Sequence, residues 1–225
     1  MAHKIKGYVG ALLEIFIFFT ISSLLKNILF VRYDSSLSYY WLCFTILTGF
    51  WEMIYILQHN YVINLSENLL SKREHVWLTD FDLNILFPWK LSPIFYSEYG
   101  AYADREYMTN KDIWSLLIEG THCLLCGFFS LLSLLNLYID NIAGFHISLG
   151  ISMGSQLMNS ILYMGEYGIQ IKNSKSVNYN SSNFPCGKYL IKRPFMWINI
   201  FWTIMPSYVL IYHLITSKCI ADYSL

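Results

Sequence analysis

The run Ile113 to Tyr138, IWSLLIEGTHCLLCGFFSLLSLLNLY, constrains this chain more than any other. A stretch of roughly 20 apolar residues crosses the ~30 Å hydrocarbon core of a bilayer as a helix, and this one is long enough. Yet it carries Glu119 and His122. An ionisable group at that depth costs on the order of 3 kcal/mol by insertion scales, so it marks a functional site rather than a lipid-facing position. Residues three apart share a helix face. Glu119 and His122 therefore point the same way, and other membrane segments must supply the walls around them.

Composition agrees. Only 13% of the 225 residues are charged, against about 25% in ordinary domains, and the mean hydropathy is +0.40. The formal net charge is zero and no basic stripe is present, which argues against a nucleic-acid partner. The expected class is all-α: a polytopic membrane protein, a single domain over 1–225, with five transmembrane helices around an intramembrane pocket.

The spans are expected as follows. Val9–Leu25 is the first, interrupted by Glu14, which reads as a carboxylate near the membrane surface. No small-residue cleavage pattern follows, so the helix is retained. Leu37–Ile63 is the second, with Glu52 as its sole charge and aromatic residues near both ends, as in interfacial belts. A long connection, about 64–112, mixes charge with the aromatic, proline-bearing FPWKLSPIFY. That composition suits an interfacial loop with a short surface helix, poised as a lid. Ile113–Tyr138 is the third span. Ile142–Gly165 is the fourth, and its Gly150-x-x-x-Gly154 reads as helix packing. After a solvated polar loop, Phe195–Thr216 is the fifth. Twelve of the 15 Lys and Arg fall on the side of the amino terminus, which puts that side in the cytosol. The sequons at Asn64 and Asn180 then stay unmodified.

Five cysteines give no disulfide framework. Cys123-x-x-Cys126 has redox spacing, but inside a membrane helix it reads as small apolar packing.

Polar side chains recur at helical spacing inside four spans: Thr48 with Glu52; Glu119 with His122; Gln156, Asn159 and Ser160 with Tyr163 and Glu166; and Asn199 with Trp202. They must find each other or a ligand. Two neighbouring buried carboxylates cannot both ionise cheaply, so one holds a proton. A histidine beside them can carry or deliver it, and an indole face attracts a cation. A greasy cavity so equipped suits chemistry through a carbocation, in which protonation at one carbon and deprotonation at another move a double bond. The plainer reading of Thr48, Gln156 and Ser160 is helix tying, at about 0.6 kcal/mol per contact. One His and two carboxylates on separate helices make a poor metal-ligand set, so no metal is expected.

These residues carry a resemblance. Glu119 followed by Gly127-Phe-Phe-Ser-Leu131, the segment Tyr102 to Tyr107 (YADREY), the run Gln156 through Leu162-Tyr163 to Glu166, and Asn199-x-x-Trp202-x-x-x-Pro206 resemble, in order and separation, the emopamil-binding protein group. These are the sterol Δ8–Δ7 isomerases of the EXPERA superfamily, and the likeness covers about 37–215. It implies that Glu52, Glu119, Asn199 and Trp202 line a sterol pocket, with Thr48, Tyr107, Gln156 and Tyr163 contributing to substrate binding. It also implies an endoplasmic-reticulum membrane, no cofactor, and inhibition by cationic amphiphilic amines. Oligomeric state is left open, a homodimer included. Two departures stand out. Thr48 occupies the position of the histidine in the family's His-x-x-x-Glu, and His122 replaces the threonine of its Glu-x-x-Thr. The expectation is an exchange of the proton-bearing group across one pocket, with Glu119, His122 and Glu52 catalytic. Alternatives are a terpenoid isomerase or cyclase of the same family and a non-catalytic binder of sterols or amines.

Overall fold

The computed structural model describes residues 3–28, 35–104, 113–176, 189, 192 and 194–222, without the side chains of 28, 113–115, 117–121, 194–195 and 217–222. The described residues are all-α apart from one small ribbon. Seven α-helices run in chain order: α1 (Gly7–Ile28), α2 (Ser36–Leu57), α3 (His59–Lys72), α4 (Pro88–Tyr102), α5 (Ile113–Tyr138), α6 (Ile142–Gln170) and α7 (Pro194–Asp222). Strands β1 (Lys4–Lys6) and β2 (Asp80–Asp82) pair antiparallel, Ile5 opposite Phe81.

Among the described residues, three helices are long and apolar enough to cross a membrane: Gly7–Asn27, Ser36–Leu57 and Met196–Thr216. His122–Tyr138 is a shorter apolar helix. Their ends follow local chemistry. Ser35 caps α2, its hydroxyl accepting from the Ser38 amide at 3.2 Å. Lys26 sits in the last turn of α1, where a cation meets the negative end of the helix dipole.

The second span is shorter than expected. It ends at Leu57, and Gln58 breaks the helix at φ −111°, ψ 20°. The polar trio Gln58-His59-Asn60 favours that break over continued apolar helix. Ile63 therefore belongs to α3, whose Val62, Ile63 and Leu69 are buried on one face.

The connection expected as an interfacial loop is instead a packed layer. Helices α3 and α4 lie together with two 3-10 turns (Val76–Leu78 and Leu83–Leu86) and β2. Val62, Leu69, Val76, Ile85, Leu91 and Tyr99 form a core shared with Trp51 and Tyr55 at the end of α2. Buried hydroxyls stitch the layer together and to that helix: Ser66 of α3 donates to the Ser97 carbonyl of α4 at 2.9 Å, and Ser92 of α4 to the Trp51 carbonyl of α2 at 2.6 Å. Glu98, 5% exposed, holds His75 Nδ1 at 2.6 Å and accepts from the Val76 amide at 3.0 Å. The β1–β2 ribbon, with Lys6–Asp80 at 3.0 Å, ties the amino terminus to this layer, in line with the charge pattern that sets both on one side.

A second core, Tyr39, Trp41, Leu42, Phe145, Leu149, Met153, Met205 and Val209, joins α2, α6 and α7. Helix α5 lies between α2 and α6 and packs on both.

Candidate functional site

Helices α2 and α5 approach until their backbones nearly touch. A Cβ on Gly49 would lie 2.7 Å from the Cys123 carbonyl oxygen and 3.1 Å from Gly127 Cα. Only a residue without a side chain fits there. This close contact brings Glu52, one turn further along α2, beside α5.

On α5 the His122 ring lies between two thiols. Its Nδ1 is 3.2 Å from Cys123 Sγ and its Nε2 is 3.4 Å from Cys126 Sγ. Cys126 also reaches the Ser152 carbonyl of α6 at 3.5 Å. One assignment satisfies the sulfur contacts: the Cys126 thiol donates to Ser152, Nε2–H donates to the Cys126 sulfur, and Nδ1 accepts from Cys123. Glu52 is an electrostatic neighbour of Cys126 from the α2 side, while His122 borders the Ser155 backbone on the α6 side. The Cys126 thiol thus has both the imidazole and the carboxylate as neighbours. The expectation of mere apolar packing for these cysteines is corrected. They are buried and reduced, yet both pair with His122. Their i+1 and i+4 spacing from a membrane histidine was the available signal.

The other predicted residues divide into two groups. Toward the start of α2, Trp41 donates its indole N–H to Gln156 at 2.9 Å, and Gln156 reaches Thr45 Oγ1 at 3.5 Å. Trp202 stacks on Phe44 at 5.5 Å and 14°, with Trp41 4.7 Å away. Gln156 therefore ties helices together, as the plainer reading had it. Thr48 returns its hydroxyl to the carbonyls of Phe44 and Thr45 in its own helix. Asn199 is half-buried, one turn before Trp202. Phe44, Thr48 and Glu52 form one stripe at i, i+4 and i+8. At 1.5 Å per residue, about 12 Å separates the Trp202 level from the Glu52 level. Acid and indole occupy two ends of a stripe rather than one spot.

Tyr163 is drawn to the packed layer. It donates to Asp104 Oδ2 at 2.7 Å and lies 3.0 Å from the Tyr99 hydroxyl. Asp104 is 2% exposed, a buried carboxylate that the sequence reading passed over although it stands within YADREY. Tyr107 and the side chain of Glu119 lie outside the described residues.

Glu14 corrects an expectation. It is 3% exposed rather than at a surface, and its Oε1 accepts the Trp51 indole N–H at 3.1 Å. The indole reaching over from α2 is what holds it inward. Gly150 and Gly154 correct another: a Cβ on either meets nothing within 4 Å, so they are not the packing motif. Gly49 and Gly127 fill that role.

Among the described residues, neither of the two main grooves is lined by a residue predicted for the pocket. No group of three or more His, Cys, Asp or Glu among the described residues is placed to hold a metal ion. Comparison with protein-family models, with curated proteins and with solved structures returned no match.

Proposed function

We propose that the chain is an intramembrane isomerase that shifts a carbon–carbon double bond in a sterol or a related polycyclic lipid, working within five membrane spans of the endoplasmic reticulum. Protonation of one alkene carbon gives a carbocation, loss of a proton from a neighbouring carbon restores the double bond, and the product is an isomer of the substrate. In this reading the imidazolium of His122 is the donor and Glu52 the acceptor. Glu119 supports His122 from one turn away, and the Trp202 wall receives the far end of the substrate.

The observation that supports the reading is that the Cys126 thiol has both His122, in contact at 3.4 Å, and Glu52, an electrostatic neighbour, beside it. A histidine on α5 and a carboxylate on α2 are what an exchanged proton donor requires. General acid–base groups contribute typically about 10²–10⁴-fold. The test is turnover of the purified membrane protein on candidate Δ8 sterols and terpenoid polycyclic alkenes in deuterated water. His122→Ala should lose at least about a hundredfold in rate together with deuterium incorporation. Unchanged turnover and labelling would remove His122 from the mechanism. A product from terpenoid alkenes alone would redirect the substrate class to natural-product isomerisation or cyclisation.

A second reading has its own observation. Phe44 lies flat on Trp202, and the stripe from there to Glu52 is apolar at one end and acidic at the other. That polarity suits an amphiphilic amine, its ammonium at Glu52 and its body on the rings, bound without turnover. Stoichiometric recovery of an unaltered ligand would select this reading.

A further inference from the structure

Just past the end of the second span, a groove of about 300 Å³ opens between α3, β2, the Leu83–Leu86 turn and α4. It plays no part in the isomerase reading. Its polar lining is Gln58, Tyr61, Asp82, Asn84 and Lys90, beside the Phe81 ring. Among the described residues, none of those five side chains makes a hydrogen bond or ion pair within the protein.

Asp82 is the telling member. The ribbon sets two Lys–Asp pairs opposite each other, Lys6 with Asp80 and Lys4 with Asp82. The first closes at 3.0 Å. The second does not close, and Asp82 lines the groove instead. A cation at Lys90 completes a dipolar lining: one positive group, one negative group, two phenyl-type rings and two amides.

Depth decides what such a lining meets. Gln58 directly follows the last residue of a membrane-length helix, Leu57, which is 74% exposed. Phe87 and Trp89 stack at 4.8 Å and 13°, and both are nearly half exposed, as is Leu83. Exposed aromatic rings of this kind sit at headgroup level. The groove therefore opens into the layer where lipid headgroups lie.

We propose that this groove is a binding site for the headgroup of a zwitterionic phospholipid. The phosphodiester oxygens accept from Lys90 Nζ, with the side-chain amides of Asn84 and Gln58 as further donors. The ammonium sits against Asp82 and the faces of Tyr61 and Phe81, where carboxylate and ring both favour a cation. The acyl chains leave along Leu57 and the Phe87–Trp89 pair. An anionic headgroup without an ammonium sets its charge against Asp82 with nothing to balance it, which gives the site its selectivity.

The experiment uses the purified full-length chain in detergent. Equal amounts of phosphatidylcholine and phosphatidylglycerol compete for it, and retained lipid is counted by native mass spectrometry. The expected result is a preference of at least about fivefold for phosphatidylcholine, lost in both Lys90→Glu and Asp82→Lys. Both side chains are exposed, so the variants should keep wild-type helix content, and Lys90→Gln provides a milder third variant with an intermediate loss. Equal or stronger retention of phosphatidylglycerol would overturn the proposal, as would variants that bind like wild type. Free phosphocholine is the last arm. Competition by it at the same concentration as the lipid would assign the groove to a soluble ligand and overturn the lipid assignment.

Discussion

The seam between α2 and α5 and the layer of α3 and α4 pack equally closely by opposite means. In the seam, contact is backbone on backbone at Gly49 and Gly127, and the groups around it are two thiols, one imidazole and the Glu52 carboxyl. In the layer, contact runs through a buried carboxylate: Glu98 holds His75 and the Val76 amide, and His75 stacks on Tyr102 at 4.2 Å. The difference follows from what lies outside each region. In lipid, an unmatched charge has no water to fall back on, so the seam is closed by small residues rather than by ion pairs. At the interface one end of an ion pair can stay wet, as His75 does, and the other can be buried.

The comparison can be pressed by substitution. Glu98→Ala removes two hydrogen bonds at once and orphans a buried amide. About 3 kcal/mol of stability should go, read as a lower thermal midpoint in detergent with loss of the α3–α4 layer first. A drop of a few tenths would show that the layer is held by its apolar core alone. Gly49→Val comes next. Its Cβ meets backbone that cannot swing away, so about 2 kcal/mol is expected, together with separation of α2 from α5 and loss of the Glu52–Cys126 proximity. A wild-type midpoint would mean that the seam is loose.

Tyr102→Phe should cost about 1 kcal/mol, since the phenol donates to the carbonyls of Leu69 and Glu74. Burial, with the carboxylates of Glu98 and Glu74 adding to it, holds that phenol above the usual tyrosine range. A group raised on folding contributes fully below its unfolded value and loses the contribution as pH rises through its folded one. An alkaline step beyond about pH 10 should therefore appear in the wild type and vanish in Tyr102→Phe. The smallest effect has the opposite sign. Gly150→Ala meets open space and should be neutral or up to about 1 kcal/mol stabilising, by helix propensity. A clear destabilisation there would show that a partner covers that face.

Legibility in the sequence followed the same division. The helical class, the membrane-length runs at both ends, and the anomaly of His122 were all readable, because periodicity and a misplaced ionisable group are local signals. Three features were not. Glu14 looked like a surface carboxylate because nothing in its own helix reveals Trp51. Gly150-x-x-x-Gly154 had the spacing of a contact without the neighbour, whereas Gly49 and Gly127 had a neighbour and no motif. The 64–112 region read as a loop because its segments are short and its core is assembled from pieces far apart in the chain. In each case the missing information was a partner on another helix.

The ribbon of Lys4–Lys6 on Asp80–Asp82 has a bearing on how the chain is made. Helix α1 leaves most of its length exposed and touches α2 sparsely, so its seat depends on a few bonds to α2 (Glu14–Trp51, Ser22–Tyr39, Ser23–Tyr40), on Gly7 and Gly10 packed against Val76 and Ile85, and on a clasp whose second half is synthesised some seventy residues later. Until that half emerges, α1 has only its bonds to α2 to hold it. Trimming the first six residues should leave it so, and a pulldown of a clipped, epitope-marked α1 against the remainder of the chain would report how firmly the clasp holds.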